Sequence, residues 1–188
     1  MIRAALSVLS GVTVMTAYAP YAVDIIREKA VPARSTRIMF AVLLLVALLQ
    51  QRQLGSGLTL AVTIGELLGS FLILGLSLKR GVDGLSRLDL ACYGLLAVSL
   101  VIWLTTQNAF LALHMTVLTD VVAFMPTLVK TWHKPATETP LFFTIGLVAP
   151  LLSIVAGGEY GYAIILFPLY LAVINGIEVL LIYRKQVL

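Results

Sequence analysis

Cysteine occurs once in the 188 residues, at Cys92. It lies inside an apolar run, so the chain has no internal disulfide and no paired-thiolate metal site. Charge is scarce as well: only 12% of residues are Asp, Glu, Lys or Arg. The vocabulary of catalysis is thin. The sequence holds no His-x-Glu-x-x-His zinc motif, no glycine-rich phosphate loop and no convincing Ser/His/Asp arrangement. No lysine lies in the middle of the last apolar run, which argues against a retinal Schiff base. These absences point away from an enzyme and imply no cofactor and no metal.

What the chain has instead is apolar surface. It is 60% hydrophobic, with a mean hydropathy of +1.02. One small core cannot hide that much hydrocarbon, whereas a bilayer can, so the class is an all-α polytopic membrane protein. At roughly 20 residues per crossing, the length holds about seven spans and leaves nothing for a soluble catalytic domain. The apolar runs place them at Ala5–Ile26, Thr36–Leu54, Leu58–Leu78, Leu88–Thr105, Ala109–Lys130, Pro140–Ala156 and Tyr160–Tyr183. Glycines in Gly55-Ser56-Gly57 and Gly157-Gly158-Glu159 permit tight reversals between antiparallel helices. The first span resembles a signal peptide, with Arg3 before an apolar stretch and Ala17-Tyr18-Ala19 after it. Pro20 at the would-be cleavage point and the continuation to Ile26 predict a retained helix.

Basic residues set the expected orientation. Arg27, Lys29, Arg34 and Arg37 lie between spans 1 and 2, and Lys79, Arg80 and Arg87 between spans 3 and 4. Lys130 and Lys134 lie between spans 5 and 6, and Arg184 and Lys185 follow span 7. Of the 13 basic residues, only Arg3 and Arg52 fall on the other side. The split predicts an outside N-terminus, a cytoplasmic C-terminus and residence in a plasma (inner) membrane. The net charge of +4 is thus a topology signal, not the footprint of a nucleic-acid binder.

One segment occurs twice. Ala17-Tyr18-Ala19-Pro20-Tyr21-Ala22-Val23 returns as Ala123-Phe124-Met125-Pro126-Thr127-Leu128-Val129, sharing alanine, an aromatic, proline and valine at the same offsets. Each copy ends a long apolar run and precedes a basic stretch containing proline, Pro32 or Pro135. Overlaying the copies sets spans 1–3 on spans 5–7 and leaves span 4 unpaired. The expected organisation is a first repeat over 1–80, a linker helix over 81–107 and a second repeat over 108–188. A single linker span makes the two three-helix bundles parallel in the membrane.

In this plan the chain resembles the PQ-loop and SWEET superfamily: two three-helix bundles joined by one linker helix, with an outside N-terminus and a proline near the cytoplasmic end of each first helix. The resemblance covers the whole chain as architecture, through short motifs. The glutamine that follows the proline in the PQ-loop branch is Tyr21 in one copy and Thr127 in the other. SWEET proteins carry a further proline in the second helix of each bundle; Pro150 matches that place in span 6, and span 2 has none. Neither span 2 nor span 6 holds a pocket tryptophan, so a sugar substrate does not carry over. Asn175 falls where SWEET proteins place a pocket asparagine, and Ser70 takes the equivalent place in the first repeat.

A charge within a bilayer is costly and faces a cavity or a partner. Glu66 lies about 20 Å above Lys79, and Asp120 about 15 Å above Lys130, at roughly 1.5 Å per residue of helix. Both depths suit a central solute site. Ser70 is one turn from Glu66 on the same face, while Thr116 and Thr119 share the Asp120 side. Glu66, Ser70, Asp120 and Asn175 are the expected solute-binding residues, with Asp120, Glu66 and His114 as candidates for proton coupling. Pro20, Pro126 and Pro150 are the expected hinges, because a proline ring frees the carbonyl four residues earlier. Structural alternatives stand beside each: Asp120 held by threonine hydroxyls, Glu66 paired with His114, static kinks at the prolines. Glu178 is expected to pair with Arg184 or Lys185, and Trp103 and Trp132 to anchor the two interfaces.

The function this predicts is a facilitator for a small polar solute, working by alternating access between the two bundles. Two carboxylates inside the membrane also permit proton coupling, because withdrawal from water favours the neutral form. The partners are then the solute and the bilayer, with a homo-oligomer left open. The alternative is a non-transporting receptor or chaperone on the same scaffold, with a cavity open to one side only.

Overall fold

The computed structural model describes residues 1–135, 138, 140–158 and 161–184. Seven helices carry the chain: α1 (Ile2–Ile26), α2 (Arg34–Gln53), α3 (Leu60–Arg80), α4 (Arg87–Thr106), α5 (Ala109–His133), α6 (Pro140–Gly157) and α7 (Tyr162–Tyr183). All seven are long and apolar enough to cross a membrane, as the apolar runs predict. The ends differ by small steps. α1 starts at Ile2, and α5 continues past Lys130 to His133. Glu159, Tyr160 and Lys185, named above for a loop, a span start and a basic flank, lie outside the described residues.

Local chemistry sets the helix limits. Ser86 and Asp89 form a reciprocal capping box that starts α4. The turn into α5 needs Gln107 in the left-handed region, at φ 54°, and the Asn108 side chain then accepts the Leu111 amide at 3.0 Å. α2 ends in a turn through Gly55, at φ 76°, which leads into a short 3-10 turn, Gly57–Thr59, ahead of α3.

Four helices hold an internal proline: Pro20 in α1, Pro126 in α5, Pro150 in α6 and Pro168 in α7. The last was not anticipated. Its ring frees the carbonyl of Ile164, and the Thr59 hydroxyl donates to that oxygen at 3.3 Å. The first turns of α7 are thereby tied to the turn that precedes α3.

In the packing, α1 lies against α3 and α6, and α2 lies against α3 and α5. α7 touches α5 and α6, and α4 rests outside them on α5 and α2. Close approach of α1 and α3 depends on missing side chains. A Cβ at Gly65 would collide with the carbonyl of Gly11, and one at Gly11 would lie 2.6 Å from the Ala61 carbonyl oxygen.

At the end of the bundle formed by the start of α1 and the end of α2, hydrogen bonds between small polar groups tie the helices. Thr116 of α5 donates to Gln50 of α2 at 2.9 Å, Gln50 donates to Ser99 of α4 at 3.1 Å, and Ser99 donates back to the Ala112 carbonyl of α5 at 2.8 Å. Gln51 donates to Thr63 of α3 at 3.0 Å, Ser7 of α1 to the Leu58 carbonyl at 2.6 Å, and Ser153 of α6 to the Thr59 carbonyl at 3.2 Å. Gln50, Gln51, Ser99, Thr63, Thr59 and Ser153 are all completely buried. In hydrocarbon such groups must satisfy one another, and here they do.

The opposite end carries the basic loops. There the segment before α2 is clasped to the segment after α3. Ala33 and Val82 form an isolated parallel bridge, with the Arg34 amide donating to Val82 and the Val82 amide to Pro32, each at 3.0 Å. The Arg34 guanidinium holds Asp83 at 2.7 Å. Asp89, at the start of α4, accepts from Thr36 at 2.9 Å and Ser35 at 3.1 Å.

Candidate functional site

A cavity of about 340 Å³ opens among α1, α2, α3, α5, α6 and α7. Its walls come from the later halves of α1 and α5, the earlier halves of α2 and α6, and the middles of α3 and α7. These portions meet toward the basic loops, so the cavity runs from mid-depth to the basic end. The hydroxyl and amide layer closes the other end.

Deep in the cavity are Glu66 of α3 and Asp120 of α5. Each has a tyrosine from the partner helix of its own half on the same wall. The Tyr18 hydroxyl of α1 donates to Glu66, and Tyr170 of α7 lines the cavity with Asp120. The pairs are crossed between the two halves of the chain. In the first half the phenol is on the first helix and the carboxylate on the third; in the second half these positions are exchanged. Among the described residues neither carboxylate belongs to an ion pair.

Aromatic rings interlock beside them. Tyr18 meets Phe142 edge-on with centroids 5.7 Å apart, Phe142 meets Phe143 at 5.1 Å, and Phe143 meets Phe124 at 6.2 Å. This run of rings links α1 through α6 to α5. Nearer the mouth the walls are cationic. Arg37 donates to the Tyr21 hydroxyl at 3.0 Å and lies 5.0 Å from its ring centroid. Lys130 pairs with Glu138 at 2.6 Å.

All four expected solute-binding residues, Glu66, Ser70, Asp120 and Asn175, line this one cavity. Asn175 is already half committed: its amide donates to the Leu171 carbonyl at 2.8 Å, and its Oδ1 sits where a Cβ on Gly146 would be, 2.5 Å away. His114 is elsewhere. It contacts the Phe110 carbonyl at 2.8 Å and the Tyr162 hydroxyl at 3.3 Å, within an aromatic group away from the cavity. It therefore does not pair with Glu66. Thr116 and Thr119 do not hold Asp120 either; Thr116 joins the buried hydroxyl layer and Thr119 donates to the Met115 carbonyl at 2.8 Å.

The prolines also divide. Pro20 is on the cavity wall. Pro126 is exposed and borders a shallow outer groove beside Leu88 and Val129. Pro150 is buried within α6. The expected pairing of Glu178 with Arg184 does not occur. Glu178 is completely buried and faces Thr131, Glu138 and Lys130. Arg184 instead donates to the Trp132 carbonyl and stacks 4.1 Å from its ring centroid. Lys185, the other expected partner, is outside the described residues. Trp132 is exposed, and Trp103 donates to Gln53 between the ends of α4 and α2.

Tyr18, Tyr170, Arg37 and the Phe142–Phe143 pair were not singled out from the sequence. Tyr18 sits inside the repeated segment, and Tyr170 is one helical turn from Ile174 and Asn175, so both were within reach of a face analysis. Among the described residues no group of three His, Cys, Asp or Glu side chains is arranged to hold a metal. Comparison with family models, curated proteins and solved structures found no match to this chain.

Proposed function

We propose that this protein is a membrane transporter that moves a small polar solute by alternating access between two three-helix bundles, α1–α3 and α5–α7, joined by α4. The reading keeps the PQ-loop/SWEET-like plan, with the N-terminus outside and the basic end facing the cytoplasm of a plasma (inner) membrane. Support for the plan comes from the packing: α1 lies on α3 and α6, and its counterpart α5 lies on α7 and α2. Exchanging the halves turns one set of neighbours into the other, as a two-fold axis along the membrane normal requires.

The observation that carries the reading is the cavity itself. Both halves line it, its walls run from the helix middles toward the basic end, and the buried hydroxyl and amide layer lies beyond its inner end. In this reading the structure is the state open to the basic side. The Arg37–Tyr21 and Lys130–Glu138 contacts are the parts that move in when that side closes. Asp120 and Glu66 bind the solute and exchange protons, with Ser70 and Asn175 beside them. Pro20 gives α1 a place to bend, since its ring removes the bond to the Thr16 carbonyl.

The one-sided opening also fits a second reading, a receptor or chaperone that binds and does not transport. Val14 separates the two. It lies on the inner wall and is 1% exposed. Val14→Cys in right-side-out vesicles is expected to react with impermeant thiol reagents from both faces. The native Cys92 does not line the cavity, and its background is read from the protein without the Val14→Cys change. Reaction from the basic face alone, under every ionic condition and with solute present, would remove transport and leave the receptor.

A further inference from the structure

We infer that the solute is an organic cation, an ammonium group on a small partly aromatic body, and that it is taken up at Glu66 and Asp120 in exchange for a proton. The inference rests on the reading of the cavity as a solute site, and adds the ligand's charge and the direction of the coupled proton.

The argument starts from an imbalance. Glu66 and Asp120 lie within membrane helices, share one cavity and have no ion-pair partner among the described residues. A carboxylate withdrawn from water requires a compensating cation or a proton. The protein's own cations near the cavity are engaged elsewhere: Lys130 with Glu138 at 2.6 Å, Arg37 on Tyr21. Glu66 instead accepts a hydrogen bond from the Tyr18 phenol, and the neutral Tyr170 phenol shares the cavity wall with Asp120; neither brings a charge. The vacancy in the charge balance is therefore positive.

The walls fit the same answer. Tyr18, Phe142, Phe143 and Phe124 form a continuous run of edge-to-face rings, all four on the cavity surface. Carboxylates together with aromatic rings are the chemistry that recognises ammonium groups. A sugar would need an array of uncommitted neutral donors, and the Asn175 amide is already given to Leu171. An anion would face two carboxylates at the inner end.

The exchange follows from competition. With no cation bound, a proton on each of the two carboxyl groups balances the site. An arriving ammonium group replaces one of them, and that proton leaves to the water at the open mouth, while the other carboxyl group stays protonated. One cation enters and one proton departs, so the site carries cations against a proton gradient. The titratable groups that share the cavity wall with the pair are Tyr18 and Tyr21 of α1, Arg37 of α2 and Tyr170 of α7, with Lys130 and Glu138 at the mouth; the Cys92 thiol of α4 is buried and is not on that wall. α6 contributes only Phe142, Phe143 and Gly146.

The probe is benzyltrimethylammonium, a permanent cation that cannot release a proton itself or cross a bilayer as a free base. Calorimetry on the purified full chain in buffers of different ionisation enthalpy should show protons released to buffer on binding. Affinity should fall, by up to about tenfold per pH unit of acidification, as linkage to one displaced proton requires. Glu66→Gln and Asp120→Asn should each weaken binding at least about tenfold and flatten the pH profile, in protein that remains monodisperse. Binding that is independent of pH, or tighter binding of glucose or benzoate, would overturn the inference; both observations use the unaltered protein and need no variant to fold. Flux is measured separately, in proteoliposomes with an acidic interior. Proton-linked binding without flux keeps the ligand class and defeats transport, whereas flux of glucose or benzoate with no binding of the cation defeats the ligand class alone.

Discussion

At the basic end of the bundle the side chains between helices are ions and rings: Arg37 on Tyr21, Lys130 on Glu138, Arg184 on Trp132. At the opposite end they are glycines, hydroxyls and amides, packed without exposure. Both ends face the same problem, which is to hold neighbouring helices together where hydrocarbon gives no hydrophobic drive. The solutions differ in how easily they come apart. An ion pair at a wet mouth exchanges its partner for water at little cost. A buried glutamine that leaves its hydroxyls has no water to turn to. The chemistry of each end thus fits an open state on the basic side, and the comparison says which contacts must be replaced for the other end to open.

The most severe way to break the comparison is at the glycines. Gly65→Leu forces α1 and α3 apart at the sealed end, because the added carbon collides with Gly11 and lies 2.5 Å from the Val14 methyl. The expected loss is about 3 kcal/mol or more, read as a large fall in thermal midpoint and loss of a monodisperse peak. A stable, monodisperse variant would mean that the helices are not in contact there.

A middle-sized effect is expected from Gln50→Leu, which removes the amide between Ser99 and Thr116. Those two hydroxyls still reach each other at 2.8 Å, so the loss should be held to about 1 kcal/mol, in the range of hydrogen bonds between membrane helices. It should also raise Val14→Cys labelling from the sealed side. Unchanged labelling would show that this layer does not hold the end shut.

The smallest stability effect belongs to the mouth. Glu138→Gln removes the ion pair and leaves behind only Lys130, whose side chain is 53% exposed and can turn to water, so the loss should be held to about 0.5 kcal/mol. The variant should therefore leave the thermal midpoint nearly unchanged while altering how fast Val14→Cys reacts from the basic side. A fall in stability as large as that of Gln50→Leu would mean that the two ends are built alike after all.

What was readable in advance follows the same division. Charges were legible, because an ion in an apolar run is anomalous wherever it falls: Glu66 and Asp120 stand out in the chain, and the structure sets them on one cavity. The seven helices were legible for the same reason, as long runs of hydrocarbon between basic loops. The sealed end was not. Serine, threonine and glycine are common enough to carry no signal singly, and only the adjacent Gln50-Gln51 inside an apolar run was there to be noticed. Which way a helix turns was equally hidden. Pro20 and Pro126 hold equivalent places in the repeat, yet one lines the cavity and the other faces outward, because rotation about the axis is fixed by neighbours that the repeat does not specify. Glu178 was misassigned through its distance along the chain to Arg184; its actual surroundings come from α5 and the loop after it.

The clasp at Ala33 and Val82 bears on the order of assembly as the chain is made. Its last participant is Asp89, which receives the Ser35 and Thr36 hydroxyls from a segment synthesised about fifty residues earlier. At a synthesis rate of roughly 5–20 residues per second, the start of α2 waits some seconds before that carboxylate emerges to fix it. An amino-terminal fragment that stops short of residue 89 keeps the partners of Arg34, at Ser77, Val82 and Asp83, but leaves the Thr36 hydroxyl without the carboxylate it donates to, so the clasp is finished only by the beginning of the fourth helix.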